Sequence, residues 1–143
     1  MNVGTILNAK GRDVTTVGRD RVVSDVAATL AEHRIGAVVV LGETGTLVGI
    51  VSERDIIQAI ADRGAACLSE PVSGIMTGEV VTCGPTETVD EVMCKMTAGR
   101  FRHLPVTDDD DLIGIISIGD VVKNHIAEVE MEASALRSYI VSG

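Results

Sequence analysis

Gly49-Ile50-Val51-Ser52-Glu53-Arg54-Asp55 and Gly114-Ile115-Ile116-Ser117-Ile118-Gly119-Asp120 are one phrase written twice. Each runs through a glycine and two β-branched aliphatics into Ser-x-x-Asp. Outward from this phrase, residues 14–55 and 80–120 align as copies of a single unit. Subtracting 66 maps Val80 onto Val14, Thr82 onto Thr16, Val92 onto Val26, Arg100 onto Arg34 and Val106 onto Val40. The offset drops to 65 for Leu112 on Leu47, Ser117 on Ser52 and Asp120 on Asp55, one residue having gone from the turn at 108–111 relative to 42–46. Turns absorb such changes at little cost. Two copies are too few for a solenoid or propeller, and they predict two related sites.

The 143 residues amount to one domain's worth of chain, enough to bury roughly 68–70% of the unfolded surface. Hydrophobic residues make up 45%, yet Phe101 and Tyr139 are the only aromatics, so the core is expected to be built from Val, Ile, Leu, Ala and Met. No apolar run approaches the roughly 20 residues that span a membrane, and the N-terminus lacks a signal-peptide pattern. The cytoplasm is the expected address. A net charge of −9 argues against nucleic acid, which selects basic surfaces, but leaves room for a small anionic ligand met by a few local cations. Cys67, Cys83 and Cys94 have neither C-x-x-C nor zinc-finger spacing, and read as buried or half-buried free thiols in a reducing compartment.

Each copy reads β-α-β-β-α, an α/β (α+β) fold. In the first, residues 14–17 form a strand and Ser24 an N-cap, followed by a helix with Val23, Val26, Ala27 and Leu30 on one face. Residues 37–41 are a β-branched run without alternation, as in a strand covered on both faces. After the turn 42–45, residues 47–51 form the partner strand and Ser52 opens a helix to about residue 62. The second copy predicts a strand at 80–83, a helix at 88–98 and strands at 103–106 and 112–116. This divides the chain into a first unit, 1–63, a linker, 64–72, a second unit, 73–124, and a helical extension, 125–143. A short helical lead-in at 73–76 echoes Ile6-Leu7. In the last helix Val122, Ile126, Val129, Ala133, Leu136 and Ile140 are spaced 4, 3, 4, 3, 4. This stripe either folds back on the chain's own core or meets its twin in a dimer.

Ser-x-x-Asp at a strand-to-helix junction is first of all a capping pattern: the serine accepts from an orphan amide, and the carboxylate sits at the positive helix end. A duplicated fold duplicates its caps, so repetition alone does not make a ligand site. Other features favour one. Free amides at a helix N-terminus suit phosphate or ribose oxygens, Gly49 and Gly114 permit close approach, and Thr16 and Thr82 stand on the first strand of each copy. A carboxylate at such a mouth can accept from a vicinal diol, as in other nucleotide sites.

The chain resembles a tandem pair of cystathionine-β-synthase (CBS) domains of the stand-alone prokaryotic type. The resemblance rests on residues 14–17, 33–40 and Gly49 to Asp55 in the first copy, and on 76–77, 80–82, 99–106 and Gly114 to Asp120 in the second. It covers residues 3–127. It implies two units packed sheet to sheet about a pseudo-two-fold axis, with an extended C-terminal helix, and pairs that commonly dimerise. It also implies adenine nucleotides or other adenosyl compounds (AMP, ADP, ATP, NAD(H), S-adenosylmethionine) bound in clefts between the units. Asp55 and Asp120 would then hold ribose hydroxyls, Ser52 and Ser117 would contact ribose or phosphate, and Thr16 and Thr82 would read the adenine edge. The copies differ in charge: Glu53-Arg54 against Ile118-Gly119, and Gly36-Ala37 against Arg102-His103. Arg54, Arg102 and His103 are therefore the candidate phosphate contacts, and the two sites are expected to be unequal.

The expected function is a regulatory sensor that signals through conformation or oligomeric state to a separate downstream protein, with the nucleotide a ligand and no cofactor required. The alternative is a structural or interaction protein with vestigial sites. An enzyme has least support, since no nucleophile–base pair, metal set or Walker loop is visible and His33, His103 and His125 lack catalytic spacing. The acidic run 108–111 lacks the Gly and Glu of a calcium loop and reads as a hairpin turn.

Overall fold

A computed structural model describes residues 1–142. The elements run α1 (Val3–Lys10), β1 (Thr16–Gly18), α2 (Val23–His33), β2 (Ala37–Leu41), β3 (Leu47–Ser52), α3 (Glu53–Arg63), α4 (Val89–Gly99), β4 (His103–Asp108), β5 (Asp111–Ser117) and α5 (Ile118–Ser142), with two 3-10 turns between α3 and α4. This is the mixed α+β class with a long last helix. Two compact units result: Val14–Val81, and Met1–Asp13 together with the chain from Thr82 onward. Among the described residues no helix is long and apolar enough to cross a membrane.

In the Val14–Val81 unit the sheet order is β1-β2-β3. β1 lies parallel to β2, joined by α2, and β2 pairs antiparallel with β3. Strand alternation sends Val17, Val38, Val40 and Val51 to one face, where they meet Val23, Val26 and Leu30 of α2 and Ile56 of α3. β-Branched side chains fill such a surface well. The segment expected as a linker is part of this core. Ala65–Ser69 and Val72–Gly74 form the 3-10 turns, with Cys67 and Val72 fully buried. It also replaces the expected cap of α2. Val22, not Ser24, is the N-cap and makes no side-chain bond, because the Val23 amide donates to the Glu70 carbonyl at 2.9 Å. A helix amide satisfied by backbone needs no hydroxyl.

In the other unit β4 and β5 form a hairpin. Asp109 and Asp110 at its tip have φ of 49° and 67°, the double left-handed turn that matches strand twist, so the acidic run is a hairpin loop. The strand expected at 80–83 does not form; Cys83 alone bridges Val106. Pro105 is the reason. In the first copy the Val39 amide donates to Thr15 at 3.3 Å. Pro105 occupies the equivalent position and has no N–H to give, which stops the ladder.

Helix α1 also belongs here. Val3, Ile6 and Leu7 are fully or almost fully buried among Val89, Val92, Met96, Leu104, Ile116 and Val121. The sequence division at 63 and 73 groups α1 with the first copy and the second lead-in with the second. The structure pairs them the other way: Ile75 and Met76 pack against the first copy's core, and α1 against the second's. No break separates 124 from 125, since α5 runs unbroken over 25 residues. Cys67 and Cys83 are buried, as expected, whereas Cys94 is exposed, two residues round α4 from buried Val92. Burial, reinforced by the Glu87 carboxylate, pushes the Cys83 thiol up to about 12 despite the opposing pull of Lys95.

Candidate functional site

Both Ser-x-x-Asp motifs form complete capping boxes. Ser52 ends β3 and caps α3: its hydroxyl accepts from the Asp55 amide at 3.3 Å, while Asp55 Oδ2 accepts from the Ser52 amide at 2.8 Å and hydroxyl at 3.0 Å. Ser117 and Asp120 repeat this at the start of α5, with 3.1, 2.8 and 3.0 Å. In each box the serine's two donors converge on Oδ2, leaving Oδ1 to accept from another group. The first helical amide is already engaged, Glu53 with the Gly36 carbonyl at 2.9 Å and Ile118 with that of Arg102 at 2.7 Å. Free amides for an anion are thus fewer than the bare helix terminus suggests. The acceptor carboxylates are the stronger feature.

Strand register decides what joins them. In the Val14–Val81 unit Ala37 pairs with Ser52, Val39 with Ile50 and Thr16 with Val39. Paired residues share a face, so Thr16, Val39, Ile50, Ala37 and Ser52 lie opposite the face that carries the core. Thr16 and Ser52 stand two strands and two residues apart, about 12 Å, with aliphatic side chains between them. Arg54 is exposed in the first turn of α3. Thr16 also lines a cavity of about 450 Å³ with Arg19 and Arg21, which none of Ser52, Arg54 and Asp55 enters. In the other unit His103 pairs with Ser117 and Pro105 with Ile115, while Leu104, Val106 and Ile116 face the core. His103, Ser117 and Asp120 therefore gather at the open end of the β4–β5 hairpin, while Arg102, one residue before β4, is exposed and touches α5 through its carbonyl, which accepts from the Ile118 amide. Thr82 is held through its carbonyl, which accepts from Lys95 Nζ at 3.0 Å.

Gly49 and Gly114 do not leave room for a ligand. A Cβ on Gly114 would stand 2.7 Å from a Leu7 methyl, and one on Gly49 would collide with the Met76 side chain. The glycines admit the lead-in segments, each packed on the copy that it does not precede.

Lys10 is the residue that sequence reading missed. Its ammonium lies 2.5 Å from Asp120 Oδ2 and donates to the Ile115 carbonyl at 2.9 Å. Burial favours the neutral carboxyl, but hydrogen bonds from Lys10 and Ser117, with the ammonium's charge, outweigh it and hold Asp120 below the usual carboxylate range. The signal was a length difference: six residues, 8–13, separate Leu7 from Val14, whereas three, 77–79, separate Met76 from Val80. The longer lead-in carries α1 on to Lys10. Because the folded pKa is depressed, this contact stabilises above the ordinary carboxylate range and is lost as pH falls through it. Lys10→Met is expected to cost about 1 kcal/mol at pH 7, the gap to wild type closing below about pH 4 in urea unfolding at stepped pH.

The CBS-domain family model matches residues 6–62 and 72–126. This chain belongs to the CBS-domain family. The chain is 52% identical to a CBS-domain-containing protein of Agrobacterium tumefaciens, with a TM-score of 0.83 over 85% of this chain and 91% of that one. It is 39% identical, over 87% of its own length, to the mitochondrial CBS domain-containing protein CBSX3 of Arabidopsis thaliana, and spans 62% of that relative. Two similar CBS structures hold ligands, each 28% identical to this chain. The CBS domain pair of protein MJ0100 is in complex with 5′-methylthioadenosine and S-adenosyl-L-methionine (TM-score 0.79, covering 90% of this chain and 98% of that one). A CBS domain protein of Pyrobaculum aerophilum is complexed with AMP (TM-score 0.75, 84% and 89%). One capping box lies within each of the two matched stretches. Among the described residues no cluster of His, Cys, Asp and Glu is arranged to hold a metal.

Proposed function

We propose that this CBS pair is a regulatory module that binds adenosine-containing ligands, with Asp55 and Asp120 as the ribose acceptors. One observation carries the reading: in both capping boxes the serine's donors converge on one carboxylate oxygen, leaving Oδ1, with its two lone pairs, to accept from two sugar hydroxyls. Ile50, half-buried on the sheet face that bears Thr16 and Ser52, offers an apolar contact suited to adenine, and the AMP- and S-adenosylmethionine-bound relatives support the ligand class. Thr16 and Thr82 read the base edge, and Ser52 and Ser117 lie beside the ribose. AMP, ADP, ATP and NAD(H) belong to the ligand's range.

The charges make the sites unequal. Arg102, His103 and Lys10 attend Asp120, so phosphorylated ligands favour that site; Arg54 alone attends Asp55. The protein works as a cytoplasmic homodimer and passes its signal to a separate protein through a shift in conformation or assembly, which requires different ligand affinity in two states. Catalysis, nucleic acid and membrane have no part in this reading.

Calorimetric titration with AMP, ATP, NADH and S-adenosylmethionine tests it. AMP and ATP are expected to bind more tightly than unphosphorylated adenosine at the site that Asp120→Ala removes. Absence of heat with every compound at millimolar concentration would exclude the nucleotide reading.

A further inference from the structure

The apolar stripe of α5 does not fold back on its own chain. Val122, Ile126, Val129, Leu136 and Ile140 are 42–68% exposed. Val121 beside it is fully buried, so the helix is anchored on its unit by a different face. We propose that this stripe pairs, parallel and in register, with the same stripe of a second copy, as a two-stranded coiled coil over residues 122–140.

The flanking charges select the partner and its direction. With Ile126, Ala133 and Ile140 as one seam row and Val122, Val129 and Leu136 as the other, Lys123, Glu130 and Arg137 border one side of the seam and His125, Glu132 and Tyr139 the other. A parallel coil brings each residue of the second border against the first-border residue five positions on in its twin. Glu132 then meets Arg137 of the second copy, twice by symmetry, and Glu130 of the second copy comes to the side of His125, whose Nδ1 lies 3.5 Å from Asp90 of its own chain. An antiparallel coil that keeps the same six apolar layers opposes Glu130 to Glu130, Glu132 to Glu132 and Lys123 to Arg137. Every charged pair in that arrangement repels, so the charge pattern fits a parallel twin.

Fewer than three heptads would make a marginal coil in free peptides, because nucleation is costly. Here the helix is already nucleated. Its first turn is closed by the Ser117–Asp120 capping box and docked through Val121. The apolar rows extend from that docked turn.

Disulfide trapping in a Cys94→Ser background, which removes the exposed native thiol, decides the matter. Ala133→Cys is expected to give a covalent dimer under mild oxidation, since a parallel coil places the two 133 positions within disulfide reach. In an antiparallel coil they stand about 10 Å apart, and trapping requires Val129→Cys together with Ala133→Cys. Sedimentation of the unoxidised protein should show Arg137→Glu weakening dimerisation roughly five-fold. Arg137→Glu with Glu132→Arg should restore it. Leu136→Glu should disrupt the dimer while circular dichroism and the unfolding midpoint of the monomer stay unchanged, because Leu136 is 61% exposed. Failure of Ala133→Cys to crosslink, trapping in the antiparallel pair only, or a dimer indifferent to Leu136→Glu would each overturn the proposal.

Discussion

Leu7→Ala is expected to destabilise the protein by about 3 kcal/mol and to lower its unfolding midpoint by roughly 10 °C, although Leu7 lies in the seventh position of the chain. Ends of chains are usually tolerant, and what matters here is burial. Leu7 is fully buried and packs with Met96, Leu104 and Ile116, none more than 2% exposed. Its methyls fill the space that the missing Cβ of Gly114 leaves on β5. Truncation removes three methyl-sized groups from a close-packed site whose walls are strand and helix, so collapse around the cavity is limited. Asn8→Ala, one residue on and exposed, should stay within about 0.5 kcal/mol of wild type. Denaturant unfolding of the pair supplies the comparison. A loss below 1 kcal/mol at Leu7 would place α1 outside the core of the unit formed with Thr82 onward.

Asp55→Ala and Asp120→Ala are expected to remove most of the stabilisation that a nucleotide confers at the affected site. A ligand at 100 times its dissociation constant adds about 2.7 kcal/mol. Two sugar hydroxyls bonded to a carboxylate are worth about 3 kcal/mol together, close to a hundred-fold in affinity. At unchanged ligand concentration the variant site would sit near its new dissociation constant, and its gain would fall to about 0.4 kcal/mol. Each substitution also opens a capping box, at about 1 kcal/mol, so every variant is compared with its own ligand-free midpoint. The double variant should show no ligand-induced shift. A full shift in the double variant would remove both aspartates from the site and leave nucleotide binding standing. The absence of a shift in wild type would remove binding itself.

The local grammar of the chain was readable at once. Two Ser-x-x-Asp phrases, each after a β-branched run, specified a strand, a cap and a helix, because capping and alternation act over three or four residues. The repeat offset located the turns, and periodicity located α2, α4 and α5. Errors arose where a distant backbone group replaced a local signal. Ser24 looked like the cap of α2 until Glu70 supplied the acceptor for Val23. The strand at 80–83 looked like a copy of β1 until Pro105 interrupted its ladder.

The candidate carboxylates were legible for the same local reason, and Lys10 was not. Lys10 and Asp120 are 110 residues apart, and their meeting depends on which copy α1 packs against. Sequence alone determined that there are two units with two carboxylates, each held by its own serine. Tertiary structure decided that each lead-in serves the other copy, that Gly49 and Gly114 make room for it, and that Lys10 reaches Asp120. It also left the α5 stripe in solvent. Caps and periodicities are satisfied by near neighbours along the chain, whereas burial is shared among all segments that compete for the same apolar surface, and that competition is settled only in three dimensions.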